Sequence, residues 1–168
     1  QLAGEGYCSV YYRTFGLETV ALRFGNVYGP GSTHKGSVVA KFIRQALAGE
    51  ILEIYGDGTQ TRDFIYVDDL VQAIWQAGTI PKIGGEVFQI ATNRETTIHE
   101  LTEQLLEELY QAGNRNVVVH NASPRLGDVR SNFSDTTKAS NLLDWQAHTT
   151  LSEGLRNTLI FFQKGFTE

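Results

Sequence analysis

The stretch Glu18-Thr19-Val20-Ala21-Leu22-Arg23-Phe24, cut off by Tyr28-Gly29-Pro30-Gly31, decides the fold class. It is a short run rich in β-forming and apolar residues, and the Gly-Pro cluster after it ends a regular element. Upstream, Leu2, Tyr7, Val10, Tyr11 and Phe15 recur near helical spacing, and Gly16 stands where a helix-ending glycine belongs. Downstream, Val38, Val39, Phe42, Ala46 and Leu47 place an apolar stripe on a helix over 37–49. A buried strand between two helices predicts an α/β fold.

The alternation continues along the chain. Residues 51–55 read as a short strand, Gly56-Asp57-Gly58 as a tight turn, and 63–67 as a second extended run. Asp68 and Asp69 are expected to cap the helix that follows to about Ala77, because acidic groups suit a helix N-terminus. Gly84-Gly85 leads into a strand over 86–91. Thr97 and Glu100 form a capping box ahead of Leu101, Leu105 and Leu109. Residues 117–119 read as a strand and 136–143 as a short helix. A second capping box, Thr150 with Glu153, opens a terminal helix to about Gln163.

Composition narrows the function classes. At 168 residues, 41% hydrophobic and 20% charged, the chain suits one domain with a core and is not broadly disordered. A net charge of −5 and a pI of about 5.4 argue against a nucleic-acid partner. No run approaches the roughly 18 consecutive apolar residues of a membrane span, so no membrane partner is expected. The lone Cys8 rules out an internal disulfide framework and points to a reducing, cytoplasmic setting. The chain contains no methionine and its first residues read as mid-helix, so it is expected to be part of a larger fold.

Self-sufficient catalytic motifs are absent from the sequence. His34, His99, His120 and His148 are scattered, and no second histidine stands four residues after His99, so no metal site is expected. Neither a G-x-S-x-G elbow, a Walker A loop nor a G-x-G-x-x-G run occurs. Three loops do carry arginine among glycines: 23–31, 56–63 and 124–130. Guanidinium groups from separate loops can clamp a diphosphate, and a nearby carboxylate such as Asp128 can accept from ribose hydroxyls. The alternative for each arginine is a local surface ion pair.

The blocks LAGE, LRFGNVYGPG, GDGTQTRDFIYVDDL, PRLGDVR, SDTTKASNLLDW and LSEGLRNTL, in that order, resemble the C-terminal half of the NAD-dependent epimerase/dehydratase family. These are extended short-chain dehydrogenases acting on nucleotide sugars, with the UDP-glucose 4-epimerase type nearest. The resemblance implies a Rossmann half that binds NAD, followed by a smaller lobe that grips the nucleotide sugar. It assigns residues 1–31 to the last Rossmann-side helix and strand and 32–168 to the nucleotide-sugar lobe.

Carried over by motif, Asn26 matches the contact to the sugar diphosphate, and Phe24 and Tyr28 lie where that loop passes the nicotinamide. Arg62 matches the arginine reaching the diphosphate, and Arg125 with Asp128 matches the pair on phosphate and ribose. Val38, Val39 and the strand around 52–54 fall where the family frames the base. The family's helix that carries its tyrosine-lysine pair packs in a dimer interface, and the resemblance makes residues 2–15 the continuation of that helix, which implies a homodimer or other self-association.

Departures from the family pattern set the limits. No tyrosine here has a lysine four residues later, so no catalytic residue is assigned, and Gln1 falls at or beside the family's lysine position. The leading expectation is the substrate-binding half of an NAD-dependent nucleotide-sugar epimerase, inactive alone. The alternatives are a nucleotide-sugar 4,6-dehydratase and a non-catalytic binding or dimerisation module.

Overall fold

Helices and short strands alternate along residues 2–165, the part of the chain that the computed structural model describes. In chain order they are α1 (Leu2–Phe15), β1 (Ala21–Phe24), β2 (Asn26–Tyr28), α2 (Val38–Leu47), β3 (Leu52–Tyr55), β4 (Thr61–Arg62) and β5 (Phe64–Tyr66). Then come α3 (Val67–Thr79), β6 (Val87–Ile90), β7 (Thr96–Thr97), α4 (Ile98–Gln111), β8 (Val119–Ala122), α5 (Thr137–Leu143) and α6 (Leu151–Gly165). The α/β class follows the sequence reading.

Three of the four strand pairs are parallel: β1 with β6, β2 with β5, and β3 with β8. Parallel neighbours need long crossovers, and the helices supply them. The fourth pair, β4 with β7, is antiparallel and sets Arg62 opposite Thr96.

Two apolar cores share β5. Phe64 and Tyr66 face a core built with Phe42, Leu105 and Phe162, whereas Ile65 faces another with Phe88, Leu143 and Trp145. Successive strand side chains point to opposite faces, so a three-residue strand serves both. β2 repeats the device, with Tyr28 in the first core and Val27 packed against the second. Elements from both sides of residue 31 build the second core.

Several elements differ from the sequence reading. β1 starts at Ala21 rather than Glu18, and 117–119 gives way to a strand at Val119–Ala122. Asn26–Tyr28, read as part of the loop over 23–31, is a strand because its backbone pairs with Phe64–Tyr66. The Asp69 side chain does not cap α3, whose N-cap position is Tyr66. It is buried, and its carboxylate accepts the main-chain N–H groups of His148 (3.2 Å) and Thr149 (3.1 Å), just ahead of α6. Its carbonyl accepts from Trp145 Nε1 at 3.0 Å. Asp68 is exposed. The first capping box forms in half: Thr97 Oγ1 accepts from Glu100 N at 2.9 Å, while the Glu100 carboxylate pairs with Arg94.

Asp63, directly ahead of β5, is a buried anchor for the β2–β5 seam. One carboxylate oxygen accepts Thr92 N at 2.7 Å and Thr92 Oγ1 at 2.6 Å, and the other accepts Ser134 N at 3.4 Å. Removing it leaves three partly buried donors without this partner, which costs about 1–3 kcal/mol. Asp63→Ala is therefore expected to lower unfolding stability by about 2 kcal/mol in urea titration, and a loss near zero would contradict the anchoring role.

Candidate functional site

Where β1 passes into β2, Gly25 brings two main chains together. A Cβ there would stand 2.9 Å from the Asp63 carbonyl oxygen and 3.2 Å from Ala91 Cβ, so only glycine fits. The close approach lets Asn26 N donate to that carbonyl at 2.6 Å and fixes Asn26 at the wall of a cavity of about 550 Å³. The opposite walls come from the start of α2, from Glu53, Ile54 and Tyr55 of β3, and from Gln60, Arg62, Phe64, Arg125 and Asp128.

All eight residues singled out by the sequence motifs line this one cavity: Phe24, Asn26, Tyr28, Val38, Val39, Arg62, Arg125 and Asp128. Their roles differ. Phe24 is 48% exposed, an aromatic ring offered at the end of β1. Tyr28 is 2% exposed, with its ring set edge-on to Phe64 and Tyr66 and its hydroxyl donating to the Leu151 carbonyl at 3.4 Å. Burial, reinforced by the Asp69 carboxylate, holds its phenol far above the ordinary tyrosine range, so the ring is a neutral wall. Val39 is buried in the first core, and Val38 packs against it. Within 52–54, Glu53 and Ile54 line the cavity, whereas Leu52 is spent in the core.

Several charged groups of the site are also paired within the chain. Arg62 holds Asp128: Nη2 donates to Oδ1 at 2.5 Å, and Nη1 donates to the carbonyls of Val129 (2.5 Å) and Thr61 (2.7 Å). Arg125 is exposed and lies over the Tyr55 ring, with Cζ 4.3 Å from the centroid. Lys41 Nζ stands 5.0 Å from the same centroid and 3.6 Å from Glu53. Arg23, in the first glycine loop, instead forms a two-bond pair with Glu5 at 2.7 and 2.6 Å, and does not line the cavity.

Sequence reasoning missed Lys35, Lys41, Tyr55 and Gln60, which also line the cavity. Periodicity carried the signal for two of them. Lys41 follows Val38 by three residues on one helix, and Tyr55 shares the outward face of β3 with Glu53. The lining holds four cations (Lys35, Lys41, Arg62, Arg125) against two carboxylates (Glu53, Asp128) in a chain of net charge −5. Such local concentration of positive charge favours an anionic ligand. α2 also starts at this wall. Its N-cap, Ser37, makes no side-chain cap bond, and its buried hydroxyl has no hydrogen-bond partner. Helix N-termini favour phosphate oxygens.

Residues 1–91 match the model of the NAD dependent epimerase/dehydratase family. The chain belongs to that family. It is 36% identical over 165 residues to UDP-glucose 4-epimerase of Mycolicibacterium smegmatis, covering 97% of this chain and 51% of that protein. Among solved structures, UDP-glucose 4-epimerase of Thermotoga maritima with UDP-glucose superposes with a TM-score of 0.87 at 39% identity, covering 98% of this chain and 52% of that one. UDP-glucuronic acid 4-epimerase of Bacillus cereus, in complex with UDP-glucuronic acid and NAD, gives 0.83 at 31% identity, covering 97% and 51%. The chain thus spans about half the length of the epimerase/dehydratase relatives it matches. The family's lysine position, read onto Gln1, lies outside the described residues. No helix among the described residues is long and apolar enough to cross a membrane.

Proposed function

We propose that this chain holds the nucleotide sugar of an NAD-dependent sugar-nucleotide epimerase, of the UDP-glucose 4-epimerase type. The observation that carries the reading is the gathering of all eight motif residues on one locally positive cavity. In it, Arg62 and Arg125 meet the diphosphate, the N-terminus of α2 adds main-chain donors, and Asp128 accepts from the ribose hydroxyls. Asn26 stands on the sugar side, and Val38, Val39 and the outward face of β3 frame the base.

When bound, NAD supplies reversible hydride acceptance from the sugar ring. The half-exposed Phe24 ring fits a nicotinamide neighbour, while the described residues contain no glycine-rich dinucleotide loop. This chain's own share is to bind and orient, spending remote binding energy on placing the sugar. The exposed apolar residues of α1, among them Leu2, Tyr7 and Phe15, support packing against another half or another copy.

Calorimetric titration with UDP tests the reading. Arg62→Ala and Arg125→Ala should each weaken binding by about tenfold, the value of one charge-assisted contact. Unchanged affinity in both variants would overturn the clamp. Because no tyrosine-lysine pair at the family's spacing occurs in the sequence, the 168 residues alone should not convert UDP-glucose to UDP-galactose. Measured conversion would contradict this division of labour.

A further inference from the structure

Residues 123–136 form neither helix nor strand, and almost all of them are exposed, yet this segment carries Arg125 and Asp128 to the cavity. Few contacts hold it. Thr61 N donates to the Arg130 carbonyl at 2.9 Å, Arg62 takes Val129 and Asp128, and Asp63 takes Ser134 N. One further contact comes from a residue outside the cavity. Glu95 stands directly ahead of β7, and its Oε1 accepts both Ser131 Oγ and Thr61 Oγ1, the latter at 3.1 Å. The two hydroxyls lie 3.3 Å apart, so one carboxylate oxygen closes a three-member knot between β4, the turn before β7 and the segment.

We infer that Glu95 is a positioning residue for nucleoside-diphosphate binding, which sets the 125–131 segment so that Arg125 and Asp128 face the cavity. This role rests on the cavity reading above. Glu95 does not line the cavity and so acts through the segment and through Thr61, the neighbour of Arg62. Removing its two accepted bonds leaves Ser131, three residues after Asp128, with only the long contact to Thr61 Oγ1, while the buried cores are untouched. Such an exposed hydrogen-bonded knot adds little to global stability. It narrows the segment's freedom before ligand arrives, and that part of the ordering cost is then not taken from the binding energy.

The test compares Glu95→Ala and Glu95→Gln in the whole chain, with two readouts. Without ligand, trypsin should cut after Arg125 and Arg130 several-fold faster in Glu95→Ala than in the parent chain, at an unchanged urea midpoint. With UDP, Glu95→Ala should raise Kd about fivefold, and Glu95→Gln, which keeps an acceptor oxygen, should stay within about twofold of the parent. The double variant Glu95→Ala/Arg125→Ala should bind less than about fivefold more weakly than Arg125→Ala alone, since part of the Glu95 effect passes through Arg125 and the rest through Asp128. Equal cleavage rates, an unchanged Kd, no rescue by glutamine or fully multiplicative effects would each overturn the inference. A parent chain that ignores UDP would overturn the cavity reading itself, and the positioning role with it.

Discussion

The parallel pairing of Asn26–Tyr28 with Phe64–Tyr66 is the constraint on which the rest depends. Three residues a side is a minimal strand pair, and it forms because both strands are walls of two cores at once. Phe64, Tyr66 and Tyr28 bury toward one, Ile65 and Val27 toward the other. Shift either strand by one residue and every apolar side chain would change face. Gly25 and Asp63 lock that register from one end, through a main-chain contact no side chain could tolerate and a buried carboxylate that ties in Thr92 and Ser134.

The same seam builds the cavity. β2 starts at Asn26, and the residues just ahead of β5 supply Arg62, so the element that joins the cores also aims two polar groups at one space. Arg62 then does two things: it offers a guanidinium at the wall, and it holds the irregular segment bearing Arg125 and Asp128. A cavity assembled this way can be positive inside an acidic chain, because its cations come from four separate segments, α2, β4 and two irregular stretches. Ion pairs with Asp128 and Glu53 temper that charge without cancelling it.

The long elements were legible in the sequence for a physical reason: an apolar stripe at helical spacing fixes which face of 38–47, 98–111 or 151–165 is buried. Thr97 was legible as a cap because capping is local. β2, β4 and β7 were not, since two- and three-residue strands exist only by pairing with distant segments. Asp69 was misread for the same reason, as its amide partners lie 79 and 80 residues away. The motif residues of the cavity were readable from their blocks, but the partners were not: Arg62 with Asp128 and Arg125 on Tyr55 are tertiary facts. Lys41 and Tyr55 were within reach of periodicity, and Glu95 was not, because its two partners come from segments far apart in the chain.

The most direct measurement is a map of backbone amide resonances during UDP titration. Binding in the described cavity predicts the largest shifts at Asn26, Val38, Val39, Arg62, Arg125 and Asp128, with a second groove, lined by Glu18, Val20, Leu22, Ile74 and Ile83, silent. Shifts confined to that groove, or scattered evenly over the chain, would contradict the account.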